Sequence, residues 1–156
     1  MEQNMSYWQT AKESQYLDRK SARKKPSELL KHLIAFANAD GGQLVIGIED
    51  DKQDNIITGF KDGKAYPIEE FKKIDREMRE TPLDLSFEEI PVVNFKGEDD
   101  FILIISVELS SNRVIAAPND DVYLRQGDET VKLSYEQRNQ LSYDKGQRFF
   151  EDEVVP

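Results

Sequence analysis

Leu29, Leu30, Leu33, Ile34, Phe36 and Ala37 fall at helical spacing and define a broad buried stripe. Pro26-Ser27 opens that helix, with Ser27 placed to cap it and Glu28 in the first turn, where a carboxylate suits the dipole. Gly41-Gly42 ends it, and Gln43 to Ile48, almost continuously apolar and β-branched, reads as an interior strand covered on both faces. Tyr16 to Ser21 alternates loosely and predicts a short edge strand, while Ile56 to Phe60 predicts the hairpin partner of the interior strand. Apolar residues at 68, 71, 74 and 78 predict a second amphipathic helix from Pro67 to Met78, broken by Thr81-Pro82. Leu85 to Val93 and Phe101 to Leu109 are the next two strands; the second carries the most hydrophobic stretch and belongs at the centre of the sheet. Val122 to Arg125 and Thr130 to Leu133 bracket a short hairpin. Ser134 to Gln137 has the spacing of a capping box, predicting a closing helix to about Leu141. Strands joined by turns too short for a crossover run antiparallel, so the expected fold is α+β: a mixed, mainly antiparallel sheet with about three packed helices.

The chain has 156 residues, 38% of them hydrophobic, which suits one domain with one ordinary core. The absence of cysteine removes thiolate metal sites and cysteine nucleophiles and points to the cytoplasm. No apolar run approaches the ~20 residues of a membrane span, and the first residues lack the pattern of a signal peptide. A net charge of -10 argues against promiscuous coating of nucleic acid. The charge is uneven, because Arg19, Lys20, Arg23, Lys24 and Lys25 crowd seven positions and offer a local positive patch.

Gly41-Gly42 follows its helix instead of preceding one, so the pair reads as a C-terminal cap and not as a phosphate loop. His32 is the lone histidine, on the flank of the buried stripe, and reads as a half-exposed helical residue; without cysteine, zinc is disfavoured too. Oxygen ligands are plentiful: Glu13, Asp18, Glu49, Asp50 and Asp51 would share one edge if the two segments pair. Carboxylates in that pattern suit Mg²⁺ or Mn²⁺, which clamp a phosphate and activate water.

At these residues the sequence resembles the AlbA-type domain of the Schlafen family. The resemblance rests on Glu13 through Lys20, Ala35-Phe36-Ala37-Asn38, Gly41-Gly42, Gly47-Ile48-Glu49-Asp50, Gly59, Pro118 and Val122 through Asp128. It covers roughly residues 10 to 142 and implies a domain over 1–142, with 143–156 an acidic tail or truncated linker. The family includes bacterial proteins described as transcriptional regulators or ATP-binding proteins, and the resemblance implies DNA or RNA binding. In some animal members it implies cleavage of structured RNA by three acids, which by position are Glu13, Asp18 and Asp50, with Lys20 as the motif lysine. Two residues depart from the pattern: Asp18 stands for the usual glutamate, and Arg19 for an apolar residue.

The leading expectation is a nucleic-acid-binding regulatory module in which Arg19, Lys20, Arg23, Lys24, Lys25 and Arg125 contact phosphates, with Lys132 extending the patch. The alternatives are an endoribonuclease holding Mg²⁺ or Mn²⁺ on Glu13, Asp18 and Asp50, and an interaction domain that forms homo-oligomers. No membrane partner is expected.

Overall fold

The computed structural model describes residues 7–50, 54–78 and 81–153. A four-stranded mixed sheet has the order β1 (Leu17–Lys20), β2 (Gly42–Ile46), β4 (Asp99–Val107), β3 (Leu85–Val93), and a separate hairpin pairs β5 (Tyr123–Gln126) with β6 (Glu129–Lys132). Only β1 and β2 run parallel, because α1 (Pro26–Asn38) crosses between them; the other pairings are antiparallel. The α+β reading of the sequence holds, as does the central place of β4. Among the described residues, no helix is long and apolar enough to cross a membrane.

The sheet has two covered faces. Leu44, Ile46, Leu103, Ile105 and Val107 face α1 and pack against Leu33, Ile34 and Phe36. Val45, Ile48, Ile102 and Ile104 face the opposite way, against Trp8 from a helical turn at 7–10 and against Leu17. Burying a side chain such as Phe36 stabilises the fold by roughly 2–3 kcal/mol.

Pro26 occupies the first turn of α1 with extended Lys25 as its N-cap, so Ser27 makes no cap. Its exit is tight. Gly41, at φ +80°, donates its N–H to the Phe36 carbonyl at 2.8 Å. Gly42 opens β2 where a Cβ would stand 2.4 Å from the Phe36 ring, so the second glycine answers a close approach.

Three expectations change. The helix from Pro67 to Met78 is one turn, α2 (Ile68–Phe71), after which tight turns run on to Met78 through bonds such as Ile74 N–H to Phe71 and Met78 N–H to Asp75. The segment 56–60 forms no strand of its own: it pairs beyond the end of β2 as an isolated bridge between Ile48 and Ile57, with the Thr58 and Gly59 N–H groups donating to the Gly47 carbonyl. The closing helix, α3 (Tyr135–Glu153), continues well past Leu141. Its capping box is formed reciprocally: Ser134 N–H donates to Gln137 Oε1 at 2.8 Å and Gln137 N–H to Ser134 Oγ at 3.2 Å.

Candidate functional site

Side chains on a strand alternate between faces, and in β1 this separates neighbours in sequence. Asp18 and Lys20, opposite Leu44 and Ile46, face α1, whereas Arg19, opposite Val45, faces the other side. On the α1 side a groove of about 650 Å³ opens between β1, α1 and the β5–β6 hairpin. It is lined by Glu13, Asp18, Lys20, Lys31, His32, Asp50, Arg125, Asp128, Glu129, Thr130, Val131 and Lys132. Glu13, Asp18 and Asp50 thus share one groove. Glu49 does not line it; its carboxylate accepts from Thr58 Oγ1 at 3.4 Å. Asp51 lies outside the described residues.

The floor is an ion pair. Asp18 is 5% exposed and Arg125 is 2% exposed, with Arg125 Nη1 donating to Asp18 Oδ2 at 2.9 Å. The guanidinium also donates to Thr130 Oγ1 at 3.1 Å, to the Ser14 carbonyl from Nε and Nη2 at 3.1 and 2.9 Å, and to the Leu17 carbonyl at 3.2 Å. These bonds use all five of its N–H donors. The Phe36 ring lies 4.8 Å away as a cation–π support.

Asp18 Oδ1 accepts the Arg19 backbone N–H at 2.8 Å, which Glu13 Oε2 also accepts at 2.9 Å, and Lys20 Nζ stands 3.9 Å off. Burial pushes the Asp18 carboxyl up, but a side-chain hydrogen bond with Glu13 and the charges of Lys20, His32 and Arg125 hold it below the usual carboxylate value.

His32 is buried, not half-exposed. Its Nδ1 lies 2.8 Å from Thr130 Oγ1 and 3.7 Å from Asp18 Oδ2. Burial lowers its pKa to about 4, against the pull of Asp18, so the ring is neutral at pH 7. The Thr130 hydroxyl accepts from Arg125 and has both a proton and a second lone pair left, so it pairs with His32 Nδ1 in either ring tautomer.

The basic run does not form one patch. Arg19 is 0% exposed and donates to the Trp8 carbonyl at 2.6 Å and to the Ala11 carbonyl, so it cannot reach a phosphate. Arg23 pairs with Asp62. Lys24 and Lys25 are exposed at the turn before α1, and Lys25 lines a different small cavity with Leu30, Tyr66 and Ile74. Of the run, Lys20 alone lines the groove. Arg125, read from sequence as a phosphate contact, lies beneath the groove with its donors saturated.

Residues that the sequence reading did not place at a site complete it: Lys31, Asp128, Glu129 and Thr130, together with His32, which was read as an ordinary helical residue. One signal was available for His32, which precedes Phe36 by four residues and therefore shares its helix face. Gln15 secures the hairpin from the other side, donating to the Arg125 carbonyl at 3.1 Å and accepting the Gly127 N–H at 2.8 Å.

The acids do not fit a shared divalent cation as placed. Both Asp18 oxygens are engaged, and no group of three or more His, Cys, Asp or Glu among the described residues could hold a metal ion.

An α+β domain with a buried Asp–Arg pair beneath a charged groove is the class that fold and site define. The Schlafen AlbA_2 family model matches residues 13–134, and the chain belongs to that family, which is consistent with a nucleic-acid-related role. No curated protein matches the chain. Among solved structures, the DIP2311 protein from Corynebacterium diphtheriae is similar, with a TM-score of 0.59 at 17% identity, over 92% of this chain and 32% of that one. That likeness speaks to the fold, and this chain spans only the stated third of the other protein.

Proposed function

We propose that this domain is a nucleic-acid-binding regulatory module whose phosphate-contacting surface is the groove between α1 and the β5–β6 hairpin. The observation that carries the reading is that Lys20, Lys31 and Lys132 reach one open groove from three different elements. Lys31 is exposed, and the Lys132 side chain is 62% exposed even though it stands 3.4 Å from Asp121. Three ammonium groups around a groove suit a phosphodiester chain, each as a mobile point charge. The acids on the same walls and the net charge of -10 limit the attraction to short range, so affinity is modest and depends on salt.

Fluorescence anisotropy of labelled duplex DNA and structured RNA, read between 50 and 200 mM salt and in EDTA, tests this. Three neutralised phosphates on duplex DNA give a log–log slope of roughly -3. No binding to either polymer, or binding indifferent to salt, would contradict the reading. A tight homodimer with no nucleic-acid binding would favour an interaction domain instead.

Metal-assisted RNA cleavage is favoured by one observation, the convergence of Glu13, Asp18 and Asp50 on the groove. The Asp18–Arg125 pair weighs against it. Mn²⁺-dependent cleavage that is abolished by Asp50→Ala would reverse that preference.

A further inference from the structure

We infer that the Arg125 guanidinium is the resident cation of the three-acid groove, occupying the place at Asp18 that a divalent metal would need, so that the groove takes its ligand without a metal ion. The inference stands apart from the choice of nucleic acid and would survive failure of the binding reading.

Three observations carry it. Arg125 makes its closest carboxylate contact with Asp18 Oδ2 at 2.9 Å, while the other oxygen accepts the Arg19 N–H at 2.8 Å. A metal approaching Asp18 would meet the fixed guanidinium charge at Oδ2 and a backbone donor at Oδ1, so it would compete with a cation already in place. The guanidinium is also built in: five hydrogen bonds to Asp18, Thr130, Ser14 and Leu17 fix its plane, with Phe36 beneath it. Such a fork exchanges far less readily than a hydrated cation, because its release would strand the carbonyls of Ser14 and Leu17 along with a buried carboxylate. Finally, Arg125 ties β5 to β1 across 107 positions, so the same charge that balances Asp18 holds the hairpin that supplies Thr130 and Lys132.

Titration of the full chain with MnCl₂, read by the electron paramagnetic resonance signal of free Mn²⁺, provides the test. Wild type is expected to show no stoichiometric site, and Asp18→Asn to change nothing. Arg125→Gln, checked for folding by circular dichroism, is expected to bind Mn²⁺ at least about tenfold tighter than wild type, and Asp18→Asn in that background to remove the gain. A one-to-one site in wild type that Asp18→Asn abolishes would overturn the inference, as would a folded Arg125→Gln protein that gains no affinity. Should Arg125→Gln not fold, wild type against Asp18→Asn still decides.

Discussion

Asp18 and Asp100 are two buried aspartates on the same sheet, both held below the usual carboxylate value, yet they are neutralised by different means. Asp100 is 3% exposed and accepts the backbone N–H groups of Phe60, Lys61 and Phe101 at 2.8, 3.2 and 2.7 Å, with the Asn94 amide donating at 2.9 Å. Burial raises its carboxyl, and these four donors more than offset the rise. Backbone donors filling the lone pairs make a structural clamp between the 59–61 turn and the β3–β4 hairpin. Asp18 instead faces the side chains of Arg125, Lys20 and His32 at the base of an open groove. A buried charge therefore marks a candidate site when its partners are themselves ionisable and border solvent.

The largest effect belongs to the partner of Asp18. Arg125→Met leaves a buried carboxylate without its guanidinium and should cost about 4 kcal/mol in urea unfolding. Adding Asp18→Asn should recover part of this, since the two sites are coupled. A loss under 1 kcal/mol would mean that the pair is not the floor of the site. Asp100→Ala, which strands several donors at once, should cost about 3 kcal/mol but leave nucleic-acid affinity unchanged in the folded protein. Altered affinity there would erase the contrast between the two aspartates.

The third effect concerns pH. The His32 pKa is lowered on folding from 6.5 to about 4, so the unfolded chain takes up its proton first as pH falls. Stability should decline between pH 6.5 and about 4 by roughly 3 kcal/mol, and His32→Gln should flatten that interval. The contribution of the two aspartates is lost only below their unfolded value near 3.8, as pH falls through their lower folded values. A decline that persists in His32→Gln would locate the titration elsewhere. Smaller still, Gly42→Ala would press on the Phe36 ring beneath Arg125 and should cost about 2 kcal/mol; a neutral result by thermal melting would show that the ring can yield.

Elements set by local chemistry were legible in the sequence. Edge strand β1, helix α1 with its glycine exit, interior strands β2 and β4, the late hairpin and the Ser134–Gln137 box all follow from periodicity and capping. The segment after Pro67 misled because its apolar positions 68, 71 and 74 repeat every three residues, the period of tight i to i+3 turns and not of an α-helix. At the site, convergence of Glu13, Asp18 and Asp50 on one groove was expected from the pairing of their segments. The fates of Arg19 and His32 were not. Strand alternation sends Arg19 to the far face, and His32 is buried against Thr130 of a hairpin 98 positions away, a contact that no local pattern encodes.

The most direct measurement compares two sets of lysines of equal chemistry: Lys20, Lys31 and Lys132 around the groove, and Lys24 and Lys25 in the linear basic run. Nucleic-acid affinity and its salt slope would be measured for Lys20→Ala/Lys31→Ala/Lys132→Ala and for Lys24→Ala/Lys25→Ala. The account predicts that the groove set flattens the slope by about 1 for each lysine lost, and that the linear set leaves it nearly unchanged. Equal loss from the linear set, or full binding without the groove lysines, would contradict it.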